Sequence, residues 1–88
     1  MVYYAALLHM LDPVKNEIVR PRHIQYLDGL NEQGKIFARG PFADGSGALV
    51  IYKADSYEEA LSMAVADPHI IENVRRLELK EWIPYFKN

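Results

Sequence analysis

The chain has 88 residues, half of them apolar. That is enough for one domain (1–88), which buries only about two-thirds of its unfolded surface. Ten basic residues stand against 12 acidic ones, a formal net charge of -2. The arginines come as the pairs Arg20/Arg22 and Arg75/Arg76 rather than as runs, so the clustered positive field that nucleic acid needs is missing. Cysteine is absent, which excludes disulfides, thiolate metal sites and cysteine nucleophiles. A second copy of the chain is then the obvious remaining source of buried area.

Residues 2–9 read as a strand. Val2/Tyr4/Ala6/Leu8 and Tyr3/Ala5/Leu7 are both apolar sets, the pattern of a strand covered on both faces. The run has no basic leader and is too short to span a bilayer, so the reading is a cytoplasmic protein with no membrane partner. Asp12-Pro13 breaks the run and residues 10–19 read as a polar loop. Pro21 suits the first position of a helix, and Ile24, Leu27 and Leu30 follow at helical spacing up to Gly34, a left-handed cap. Helix one is expected over 21–33. Strands follow at 35–41 and 47–53, joined through Asp44-Gly45, a hairpin signal.

Ser56-Tyr57-Glu58-Glu59 fits a capping box and opens helix two, about 57–66. Asp67-Pro68 ends it, residues 68–73 allow one further turn, and 75–83 form a last strand of alternating charge. The order strand, helix, strand, strand, helix, strand is the ferredoxin-like βαββαβ arrangement, an α+β fold with an antiparallel sheet. Strands one and three are central in it, and strands two and four are edges. Both helices lie on one sheet face, so the second apolar face of strand one calls for another cover. The economical one is the sheet of a second copy.

Few residues can carry chemistry. His23 lies beside Arg20 and Arg22, and histidine is the residue type suited to a general base near neutral pH; the alternative is a solvated helix histidine. Asp67 before proline is a natural cap for a short following helix. Gly40-Pro41 either shapes a pocket or ends its strand, and Ser46 follows a hairpin glycine. His9 and His69 read as surface or pocket-edge residues, and Arg75/Arg76 as solvated charges. Three histidines without regular spacing make a weak metal case, and no glycine-rich phosphate loop is present. A tightly held metal or nucleotide is therefore not expected. An RNA-recognition domain would carry aromatics in a basic third strand; here that strand is Ala48-Leu49-Val50-Ile51-Tyr52.

Nearly the whole chain resembles the YciI-like family of the dimeric α+β barrel group. The resemblance rests on Arg20-Pro21-Arg22-His23, Leu27, Leu30, Gly34-Lys35-Ile36, Gly40-Pro41, the hairpin glycines Gly45 and Gly47, Ser56-Tyr57-Glu58-Glu59-Ala60 and Asp67-Pro68-His69. The family usually has an aromatic where His69 stands, and the hairpin here is shorter than in some members. The resemblance implies a homodimer with facing sheets and a small-molecule pocket built around a histidine–aspartate pair, here His23 and Asp67. It also implies a cofactor-independent, lyase-like enzyme, since one family member resembles a dehydrochlorinase that needs no metal. In that scheme Asp67 fixes the His23 tautomer, Arg20 neutralises oxyanion charge, and Gly40, Pro41 and Ser46 help form the substrate pocket. A non-catalytic binding or dimerisation module and a cofactor-free monooxygenase are the alternatives. With strands one and three taken as parallel, topology sets His23 and Asp67 at opposite ends of the sheet. Their hydrogen bond is thus expected from the resemblance alone.

Overall fold

The computed structural model describes residues 2–86. Four strands, β1 (Val2–Met10), β2 (Ile36–Pro41), β3 (Gly47–Ala54) and β4 (Arg75–Trp82), form one sheet in the order β2-β3-β1-β4. Every neighbouring pair is antiparallel. Helices α1 (Pro13–Glu32), α2 (Tyr57–Val65) and α3 (Pro68–Ile71) complete the expected α+β, ferredoxin-like order. No helix among the described residues is long and apolar enough to cross a membrane.

Two expectations are corrected. Helix one does not begin at Pro21: α1 starts at Pro13, and the segment 13–19 expected as loop is helical. Asp12 is the N-cap, its side chain accepting from the Lys15 amide at 3.0 Å. Asp12-Pro13 therefore opens a helix by the same capping device as Asp67-Pro68. Pro21 lies inside α1, where the missing donor and ring clash cost about 3 kcal/mol. The buried stripe Asn16, Val19, His23, Leu27 runs through it at spacings of three and four, and that burial holds the helix together across the proline.

The second correction concerns strand direction. β1 and β3 are antiparallel, Val2 facing Ala54 and His9 facing Gly47. β3 therefore ends where β1 begins, and α2 climbs back toward the end where β1 finishes. With 9 residues against the 20 of α1, α2 stops partway, and Asp67 arrives opposite the middle of α1, where His23 lies. Tyr26 Oη donates to the Met63 carbonyl at 2.6 Å, and Lys15 Nζ to that of Glu72 at 2.9 Å, tying α1 to the segment that carries Asp67.

The main core lies between helices and sheet: Ala6 and Leu8 of β1, Ala48, Val50 and Tyr52 of β3, Leu27 of α1 and Ala64 of α2. Alternation sends Tyr3, Ala5 and Leu7 of β1, and Leu49 and Ile51 of β3, to the opposite face. A bulge between Ile36 and Ala38 in β2 contains Phe37, which meets Tyr3 edge-on; Trp82 and Phe86 join the same aromatic group. The edge strand is thus kinked by an extra residue. The face away from the helices is apolar along β1 and β3 with an aromatic end, while Glu78 and Lys80 of β4 add charge beside Leu7 and Ala5.

Candidate active site

His23 Nδ1 lies 2.8 and 2.9 Å from the two carboxylate oxygens of Asp67. Only the ring nitrogen can donate to a carboxylate, so Nδ1 carries the proton and Nε2, across the ring, offers its lone pair. Asp67 is fully buried and His23 nearly so. The same carboxylate caps α3, accepting the His69 amide at 2.9 Å. Capping and imidazole binding are therefore both true of Asp67, one function not excluding the other. A buried carboxylate requires such partners, because an unpaired charge away from water is strongly disfavoured.

His69 is fully buried, not at a surface or pocket edge as the sequence reading has it. Its ring stacks on that of His23, with centroids 4.2 Å apart and planes 20° apart. The aromatic place after Asp-Pro is thus filled by an imidazole acting as a flat partner. Its Nε2 donates to the Asn16 carbonyl at 3.3 Å, which leaves Nδ1 bare and without a partner among the described residues. Burial, and then the neighbouring His23 and Arg75, lower its pKa from 6.5 to about 4, so this imidazole is neutral at pH 7.

Arg75 is also buried, contrary to the solvated charge expected at an edge strand. It is the first residue of β4, paired with Met10 of β1, and its Nε donates to Asn16 Oδ1 at 3.0 Å. Asn16 therefore holds His69 through its carbonyl and Arg75 through its side chain. It reaches them because residues 13–19 are helical. Arg76, by contrast, is exposed.

A cavity of about 260 Å³ opens beside His23. Arg20, Arg39 and Arg75 line it together with Gly40, Pro41 and an apolar wall that includes Leu27 and Val50. Arg39 is ion-paired with Asp28. The structure thus brings His23, Arg20, Gly40 and Pro41 to one cavity, with Asp67 behind His23. Ser46 is not there: it is exposed in the hairpin, its amide bound to Asp44 Oδ1 at 2.9 Å. Sequence reasoning also missed Asn16, Arg39, His69 and Arg75. The repeated Asp-Pro pair was the available signal for the first of these.

His23, Asp67 and His69 bring ligand-type atoms within 4.8 Å of one another. Their arrangement does not fit one shared ion. Imidazole lone pairs lie in the ring planes, and these planes are stacked nearly parallel, so an ion in the plane of one ring lies off that of the other. What the group can do is hold and move a proton at His23 Nε2.

Residues 2–83 match the YCII-related domain. The chain belongs to the YCII-related domain family. It is 37% identical over 60 residues to the uncharacterised protein YjpA of Bacillus subtilis (strain 168), a stretch covering 68% of this chain and 71% of that one. In structure it is similar to the 5-chloro-2-hydroxyhydroquinone dehydrochlorinase TftG of Burkholderia phenoliruptrix AC1100, solved in complex with 2,5-dihydroxybenzoquinone. The TM-score is 0.79, with 92% of this chain and 93% of that one covered. At 19% identity that similarity carries the shared fold, and function rests on the site itself.

Proposed function

We propose that the chain is a cofactor-independent acid–base enzyme of lyase type, in which His23 Nε2 takes a proton from a small organic molecule bound in the 260 Å³ cavity. The observation that carries this reading is the Asp67–His23 hydrogen bond at 2.8 Å, with His23 itself in the cavity wall. The carboxylate fixes the tautomer and stabilises the imidazolium formed on proton uptake. Arg20 faces the cavity as a cation for the charge left on the substrate. In an elimination, the Nε2 lone pair takes the proton, the electrons of the broken C–H bond form the new π bond, and the leaving group departs as an anion with its bonding pair. Positioned acid–base help of this kind contributes about 10²–10⁴ in rate, enough for a substrate whose proton is already moderately acidic. The shared fold with a dehydrochlorinase supports this reaction class.

The working assembly is a homodimer closed through the apolar sheet face that carries Tyr3, Leu7, Leu49 and Ile51. A screen of small phenols, chlorinated hydroquinones and keto acids, run with wild type and His23→Ala, tests the reading. Turnover by wild type that is lost in His23→Ala is expected. Binding of the same compounds without turnover would make the cavity a binding module instead.

A further inference from the structure

The cavity holds a second polar group besides His23 that is built into the fold and only partly supplied with acceptors among the described residues. Arg75 is 6% exposed and lines the cavity. Its Nε is held by Asn16 Oδ1 at 3.0 Å, and Asn16 is itself 5% exposed. One terminal nitrogen, Nη1, is sealed from solvent and has no hydrogen-bond partner among the described residues. Among the described residues, no acidic one lines the cavity; the other arginines there are Arg20 and Arg39. Asp67 sits behind His23, its oxygens taken by the His23 ring and the His69 amide.

We infer that Arg75 is the anion anchor of this site and receives the oxyanion of a small organic molecule, a carboxylate or a phenolate-type oxygen, setting it beside His23. The inference rests on reading the cavity as the functional site. An arginine cannot shed its charge to escape burial, and a buried charge without a full set of partners is unfavourable. An oxyanion in the cavity meets the part of Arg75 that lines it and compensates a charge that the sealed Nη1 leaves short of acceptors. The planar guanidinium fork matches a delocalised oxyanion. Burial lowers the Arg75 pKa, with the Asp67 charge acting against this and Arg20 adding to it. Arg39 is paired with Asp28, so Arg20 and Arg75 supply the positive charge of the cavity that selects for an anion. A volume of about 260 Å³ falls below the roughly 300–1,000 Å³ of sites for larger ligands. Leu27, Ala48 and Val50 give it an apolar wall. The occupant is therefore a single ring or short chain bearing an oxyanion.

The test titrates the full-length protein with benzoate, with 2,5-dihydroxybenzoquinone, and with benzamide as the neutral counterpart of benzoate. Calorimetry reads affinity, and the ¹H–¹⁵N resonance of the Arg75 side chain reads contact. At least one oxyanion is expected to bind and shift that resonance, with benzamide about tenfold weaker than benzoate or more if the carboxylate is the group received. Binding of benzoate marks the carboxylate as the preferred source, binding of the quinone alone the phenolate-type oxygen. Arg75→Gln is expected to weaken the bound oxyanion about 10–100-fold, and Arg75→Lys to restore only part of this. Failure of both oxyanions to bind, binding that leaves the Arg75 resonance unmoved, or unchanged affinity in Arg75→Gln overturns the inference. If Arg75→Gln does not fold, the wild-type resonance decides. Oxyanion binding through Arg75 with no turnover of any compound leaves this inference standing and sinks the acid–base reading.

Discussion

The rings of His23 and His69 lie face to face, 4.2 Å between centroids, and Asp67 binds both residues, accepting from the ring of one and the backbone amide of the other. One carboxylate thus sets the tautomer of the His23 imidazole and the position of the His69 imidazole stacked on it. His69 contributes no charge of its own, because its pKa is pushed down to about 4.

Replacing Asp67 with Asn keeps an N-cap for α3 but removes the charge that stabilises a protonated His23. Turnover of any substrate found for the cavity is expected to fall about 10²–10⁴-fold. Steady-state kinetics with circular dichroism as a folding control checks this, and full activity in Asp67→Asn would separate the carboxylate from the chemistry.

Stability is expected to fall on acidification because of His69. Its pKa is depressed in the folded state, from 6.5 to about 4. Between these values the unfolded chain binds the proton and the folded chain does not. Stability is therefore fully present above pH 6.5 and is lost as pH falls toward 4, by about 2 kcal/mol. The groups around the ring are His23, Asp67, Arg75 and the Asn16 carbonyl. Urea unfolding at pH 7 and pH 4.5 measures the slope, and His69→Phe, which keeps a flat ring, is expected to flatten it.

Tyr52 is fully buried and its hydroxyl has no partner among the described residues. Burial, aided by the Asp67 charge, raises its pKa above the usual tyrosine range. Removing an unsatisfied polar atom while keeping the ring is nearly neutral or stabilising. Tyr52→Phe is expected to change unfolding free energy by between about 0 and +1 kcal/mol, read by chemical denaturation. A loss of several times that would reveal a partner for the hydroxyl.

Gly47 opens β3 with φ at 148°, and a Cβ there would lie 2.0 Å from the Leu8 carbonyl oxygen. Backbone on both sides cannot yield cheaply, so Gly47→Ala is expected to destabilise by about 2–4 kcal/mol. A midpoint shift in urea with unchanged slope would report this.

Leu7 and Leu49 face each other on the sheet side away from the helices, and Phe37 and Trp82 there are 43% and 40% exposed. An apolar face of this kind marks an interaction surface. Light scattering is expected to show a dimer for wild type and a monomer for Leu7→Lys; a well-folded wild-type monomer at micromolar concentration removes the claim.

Local pattern was enough for the element order. The apolar run of β1, the Asp44-Gly45 hairpin, the Ser56 capping box and the charged last strand each signal themselves within a few residues. The alternating apolar sets of Tyr3/Ala5/Leu7 and Tyr4/Ala6/Leu8 also announced two apolar sheet faces. His23, Arg20, Gly40 and Pro41 stood out because the family resemblance marked their motifs, and all four line the cavity.

Tertiary structure decided the rest, and the reason is burial. Pro21 carries two opposite local meanings, helix start or helix interior. Only the stripe from Asn16 to Leu27 packing on the sheet selects the second. Arg75 and His69 are polar residues whose sequence neighbours look solvated, yet they are interior because α1, extended back to Pro13, brings Asn16 over them as a shared partner. The meeting of His23 with Asp67 depends on strand direction and on the shortness of α2, quantities set by sheet pairing between residues far apart in the chain. Composition and periodicity fix what each segment can form; which charges are taken out of water, and what they then require, is fixed only when distant segments close over them.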